Sequence, residues 1–79
     1  MPTVLLLRGF RFFFYSNESS EPIHIHIMKG GAQGKVWLEP AVDIAYLHRF
    51  TNSEERDIWE IVKENDQYFK QKWNEYFGK

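Results

Sequence analysis

One stretch constrains the fold more than any other. Ile23-His24-Ile25-His26-Ile27 alternates apolar and polar side chains without a break. Side chains along a strand point to opposite faces in turn, so this period of two belongs to a strand and not to a helix. It puts three isoleucines on one face of a sheet and two imidazoles on the other. The isoleucine face must then be buried by the rest of a 79-residue chain. No cysteine is present, which excludes disulfides, cysteine-based zinc sites, iron–sulfur clusters and thiol nucleophiles. Seven Phe, four Tyr and three Trp supply the mass instead, each ring able to bury roughly 150–250 Å². Residues 1–79 therefore read as one domain around one core.

The segments around the alternation continue the sheet. Val4–Leu7 is apolar, Arg8-Gly9 suits a tight reversal, and Phe10–Tyr15 is dense in strand formers. Ser16–Pro22 is a polar break, Ile23–Met28 is the alternating strand, and Lys29-Gly30-Gly31 turns the chain. Lys35–Glu39 is the next strand, stopped by Pro40. Asp43–Leu47 reads as a fifth short strand or a helical turn, with strand favoured.

Residues 51–79 are helical where 1–50 are β-rich. Thr51-Asn-Ser-Glu54 fits a capping box, and Ser53 is an equally good start. Ile58, Ile61, Val62, Asn65, Phe69, Trp73 and Tyr76 recur at steps of three or four, and Gly78 ends the run. Asn65-Asp66 are cap formers that divide the run into two shorter helices or leave one long one. The architecture predicted is α+β: a four- or five-stranded antiparallel sheet packed on one face by the C-terminal helix or helices. Trp59 and Trp73 are read as packing residues.

If the isoleucines, Val36, Leu38, Phe12 and Phe14 face the helices, the opposite face carries Arg11, Phe13, Tyr15, His24, His26, Lys35 and Trp37. Such a face combines rings that stack, cations that hold phosphate and groups that titrate near neutrality. Three uses compete. Rings and cations on a sheet bind single-stranded nucleic acid. His24 and His26 form an acid/base pair, with Arg11 or Lys35 steadying a phosphoryl transition state. Or the rings pack on a partner protein or a second copy of the chain. The formal net charge of −1 opposes bulk attraction to nucleic acid, although residues 1–38 carry +2 and residues 39–79 carry −3. A lone His-x-His is a weak metal signal, with His48, Glu18, Glu21 and Glu39 as the remaining donors. No metal and no cofactor is expected. The apolar run Val4–Leu7 falls short of the about 7–15 residues of a signal peptide and the about 20 of a membrane helix. The expected location is the cytoplasm, with no membrane partner.

Several words of the sequence occur together in order. Met1-Pro-Thr, Arg11-Phe-Phe-Phe-Tyr-Ser-Asn-Glu18, Pro22-Ile-His-Ile-His26, Lys35-Val-Trp-Leu-Glu-Pro40 and Trp73-Asn-Glu-Tyr-Phe77 resemble a small bacterial family, domain of unknown function 4160. The resemblance spans nearly the whole chain. It implies a short bacterial protein encoded beside another small reading frame, in an arrangement like a toxin–antitoxin cassette. A cognate protein partner and an RNA target follow as expectations, and Tyr15, Glu18, His24, His26, Lys35 and Trp37 fall where the shared site would lie. Where relatives commonly read Pro-Pro before the His-x-His, this chain has Glu21-Pro22-Ile23. The expected function is one half of such a pair, using the open sheet face on RNA or on its partner. The alternatives are a non-catalytic interaction or homodimerisation module and a metal-independent endoribonuclease.

Overall fold

The computed structural model describes residues 3–15 and 20–78. Five strands form one antiparallel sheet in sequence order: β1 (Thr3–Leu7), β2 (Phe10–Phe13), β3 (His24–Lys29), β4 (Ala32–Trp37) and β5 (Asp43–His48). The ambiguous Asp43–Leu47 segment is thus a strand. Arg8 and Gly9 both take left-handed φ values, 55° and 83°, as the tightest hairpin turns require. Strand β4 begins three residues before Lys35, because the short turn after Lys29 brings Ala32, Gln33 and Gly34 into register with β3.

Two helices follow, α1 (Asn52–Glu64) and α2 (Asp66–Phe77). Thr51 caps α1 with the full capping box: Glu54 N–H donates to Thr51 Oγ1 at 3.1 Å and Thr51 N–H donates to Glu54 Oε1 at 3.0 Å. Asn65 leaves helical geometry (φ −111°, ψ 16°). The hydrogen-bond ladder nevertheless runs through it, since Asn65 N–H donates to the Ile61 carbonyl and Phe69 N–H to that of Asn65. The break therefore does not reset the apolar stripe. That stripe buries Ile58, Ile61, Val62, Phe69 and Trp73 and ends on Phe77 rather than on Tyr76, which is exposed. Gly78 closes α2 in the left-handed conformation.

The core lies between this stripe and one face of the sheet, where Phe10, Phe12, Phe14, Ile25, Ile27, Val36 and Leu38 are buried. Phe12 stacks on Phe69 at 5.4 Å and Phe14 meets Trp73 edge-on at 5.2 Å. Truncation of a buried ring such as Trp73 to Ala costs about 3–5 kcal/mol, a large share of what a domain this small has in hand. Trp59 is not part of the core. It is 39% exposed, with the Lys63 ammonium 5.5 Å from its ring.

Two predictions follow from this framework. A Cβ at Gly34 would lie 2.6 Å from Leu47 Cδ2 and 2.9 Å from the Tyr46 carbonyl oxygen. A strand backbone cannot retreat as a side chain can, so Gly34→Ala is expected to destabilise by about 1–3 kcal/mol, read as a lower denaturant midpoint with unchanged slope. An unchanged midpoint would mean that β4 and β5 do not approach this closely. The second concerns Glu54, whose carboxyl is held below its ordinary pKa first by the Thr51 backbone N–H and then by the Lys29 ammonium. A depressed folded pKa stabilises above the unfolded value, and that stability is lost as pH falls through the folded one. Glu54→Gln keeps the capping geometry and removes the charge. The wild type is therefore expected to be the more stable at neutral pH, with the gap closing in acid; a gap independent of pH would contradict this.

Candidate functional site

Directly opposed residues of antiparallel strands share a face, so the register shows what lies opposite the helices. Phe13 pairs with His26, His26 with Lys35, His24 with Trp37, and Arg11 with Met28. Arg11, Phe13, His24, His26, Lys35 and Trp37 therefore share the face away from the core. Tyr15 joins them, its ring 4.6 Å from that of His26. Glu18 lies outside the described residues.

The rings form a continuous layer. His26 stacks on Phe13 at 5.5 Å and meets His24 edge-on at 5.1 Å, and His24 in turn meets Trp37 at 5.4 Å. Phe13, His24 and His26 are only 2%, 0% and 6% exposed. Alternation told which face they take and not how far they are covered. His24, the first residue of β3, also touches the Trp73 indole from the helical side at 5.0 Å, so the layer joins the core at this end of the sheet. What remains accessible is the rim: Arg11, Tyr15, Lys35 and Trp37 are half-buried.

The polar groups of the rim are tied to one another. Lys35 Nζ donates to Glu21 Oε1 at 2.8 Å and lies 4.2 Å from the centre of the Trp37 ring. Arg11 Nε donates to Thr3 Oγ1 at 2.8 Å, and its guanidinium lies 4.9 Å from the Phe13 ring. His24 Nδ1 is 2.8 Å from the Pro22 carbonyl oxygen. A carbonyl only accepts, so Nδ1 carries the proton of the neutral ring and Nε2 the lone pair. Glu21 Oε1 lies 3.8 Å from the same Nδ1. These contacts orient His24 as an acid or base would be oriented, yet its ring has no surface open to a substrate in this geometry. Among the described residues, no group of three or more His, Cys, Asp or Glu side chains is placed to hold a metal ion.

Four further residues belong to this side: Glu21 and His48, expected only as possible metal donors, and Asp43 and Tyr46, which the sequence pattern did not reveal. Glu21 precedes the strand, so alternation says nothing of it. Tyr46 opposes Lys35, Asp43 opposes Trp37 and His48 opposes Gln33. A bulge at Ala45 brings Asp43, Tyr46 and His48 to one face. Strict alternation would have separated Asp43 from the other two.

The family described as Domain of unknown function (DUF4160) matches residues 9–74. No curated protein and no solved structure matches the chain. No helix among the described residues is long and apolar enough to cross a membrane.

The burial pattern can be tested with an imidazole acylating reagent. Diethyl pyrocarbonate is expected to modify the exposed His48 readily and to reach His24 and His26 only on unfolding, with the sites read by mass spectrometry. Equal rates for all three in the folded protein would show that the ring layer is open.

Proposed function

We propose that this chain, which belongs to the domain of unknown function 4160 family, is a binding module that docks a cognate protein through the rim of its open sheet face. In this reading it is one half of a toxin–antitoxin-like bacterial pair acting in the cytoplasm. The observation that carries the choice of a protein over RNA is the state of the cations. Polyanion binding draws on lysines and arginines whose counterions are mobile. Here Lys35 is neutralised by Glu21 and covers Trp37, and Arg11 is engaged by Thr3 and Phe13. The face instead offers ring and aliphatic surface, with Tyr46 47% exposed and Leu6, which opposes Arg11, 71% exposed. Exposed aromatic area bordered by polar groups is the usual composition of a protein interface. The burial of His24 and His26 supports a scaffolding role for them over an acid/base one. The placement of such chains beside a second small reading frame, which the family resemblance implies, supports that neighbour's product as the partner.

The test is to co-express the chain with the neighbouring gene's product and measure complex formation by size exclusion and calorimetry. A complex is expected, weakened at least about tenfold by Tyr46→Lys on the edge strand of the face. Tyr76→Lys, equally exposed on α2, is expected to leave it unchanged. The reverse pattern would move the interface to the helices. If no complex forms and labelled single-stranded RNA binds instead, with affinity falling steeply as salt rises, the nucleic-acid reading replaces this one. A concentration-dependent mass for the chain alone would make the partner a second copy.

A further inference from the structure

Beside Trp37, at the end of the sheet where β4 leaves and β5 enters, lies a depression of about 290 Å³ lined by Pro22, Trp37, Glu39, Pro40, Ala41 and Asp43. Its volume sits just below the roughly 300–1,000 Å³ of small-molecule sites, which suits one long side chain better than a metabolite. The walls are an indole and two prolines, and two carboxylates stand among them.

The charges around it do not cancel. Glu39 takes the Lys70 ammonium at 3.4 Å, and nearby Glu21 takes that of Lys35 at 2.8 Å. Asp43 forms no ion pair with a described residue. Lys70 is shared with Asp66 at the same 3.4 Å, so the carboxylates outnumber the two lysines, and the exposed Asp43 stands directly opposite Trp37 in the strand pairing. Lys35 Nζ lies over the Trp37 ring at 4.2 Å but does not line the depression. The indole surface that does line it, beside an exposed carboxylate, suits a planar cation that stacks there while its N–H groups meet the oxygens. Guanidinium suits such a setting better than ammonium, being planar and more weakly hydrated.

We propose that this depression receives an arginine side chain of the docking partner, held between Trp37 and Asp43. The proposal rests on the reading of the open face as a protein-docking surface and names what that surface selects. A partner carrying arginine at the matching position is fixed in register by it, since Asp43 begins β5 and Tyr46 lies further along the same strand.

The site can be tested without the partner. N-acetyl-arginine amide is titrated into the folded chain while the indole N–H signals of Trp37, Trp59 and Trp73 are followed by NMR. The Trp37 signal is expected to move and saturate in the millimolar range. Its midpoint should rise about five- to tenfold in Asp43→Asn, as expected for loss of a charge-assisted contact. N-acetyl-citrulline amide, neutral and nearly isosteric, is expected to leave Trp37 in place, and the exposed Trp59 reports non-specific association. The proposal is overturned if Trp37 does not move, if citrulline moves it as far as arginine, if Asp43→Asn leaves the midpoint unchanged, or if Trp59 responds equally. Those results remove the arginine site and leave open-face docking standing. Arginine binding at Trp37 without any complex with the neighbouring gene product would do the opposite.

Discussion

Strand β3 is buried on both faces, and that constraint organises the rest of the molecule. Ile25 and Ile27 lie under the helices and His24 and His26 lie within a layer of rings. A central strand covered on both sides sets register firmly, because a slip of one residue would exchange isoleucines for imidazoles across the sheet. The histidines meet this demand in a way that phenylalanine would not. Each presents a flat apolar surface to its neighbours, while the Nδ1–H of His24 satisfies the Pro22 carbonyl at the strand entrance. A polar group buried with such a partner avoids most of the penalty of leaving water.

The same layer explains the chemistry of the rim. Arg11 and Lys35 each lie over a ring of the face, and each also has a polar partner. Long cationic side chains used in this way shield rings from solvent with their stems while their heads stay hydrated. A small domain lacking disulfides thereby stabilises a second hydrophobic layer without a second set of helices. The cost falls on function, because cations engaged in holding rings are less available to an anionic ligand. Asp43 and Tyr46 then stand exposed on the face, beside the part of Trp37 that lines the depression.

Much of this was legible in the residues and some was not. The phase of β2, β3 and the end of β4 followed from side-chain alternation, and the register bears it out from Phe13 to Lys35 and Trp37. The capping box at Thr51 and the left-handed stop at Gly78 were written in residue types with one dominant local use. Ala32–Gly34 carries no strand signature, and its pairing is imposed by the hairpin with β3. The bulge at Ala45 left no mark in composition, so Tyr46 and His48 were missed as members of the face. Alternation also cannot report coverage. It grouped His24 and His26 with Trp37 but did not show that rings would close over them, or that Trp73 would reach His24 from the core.

Strand phase remains the claim on which the site depends, and His26 reports it cleanly because its ring meets those of Phe13, Tyr15 and His24 on the face away from the core. Nuclear Overhauser contacts from its ring protons test that phase directly. Cross-peaks to the rings of Phe13 and Tyr15, with none to the methyl groups of Ile58 or Ile61, are what this arrangement predicts. Cross-peaks from His26 to those helical isoleucines would place the imidazole beneath α1 and contradict it.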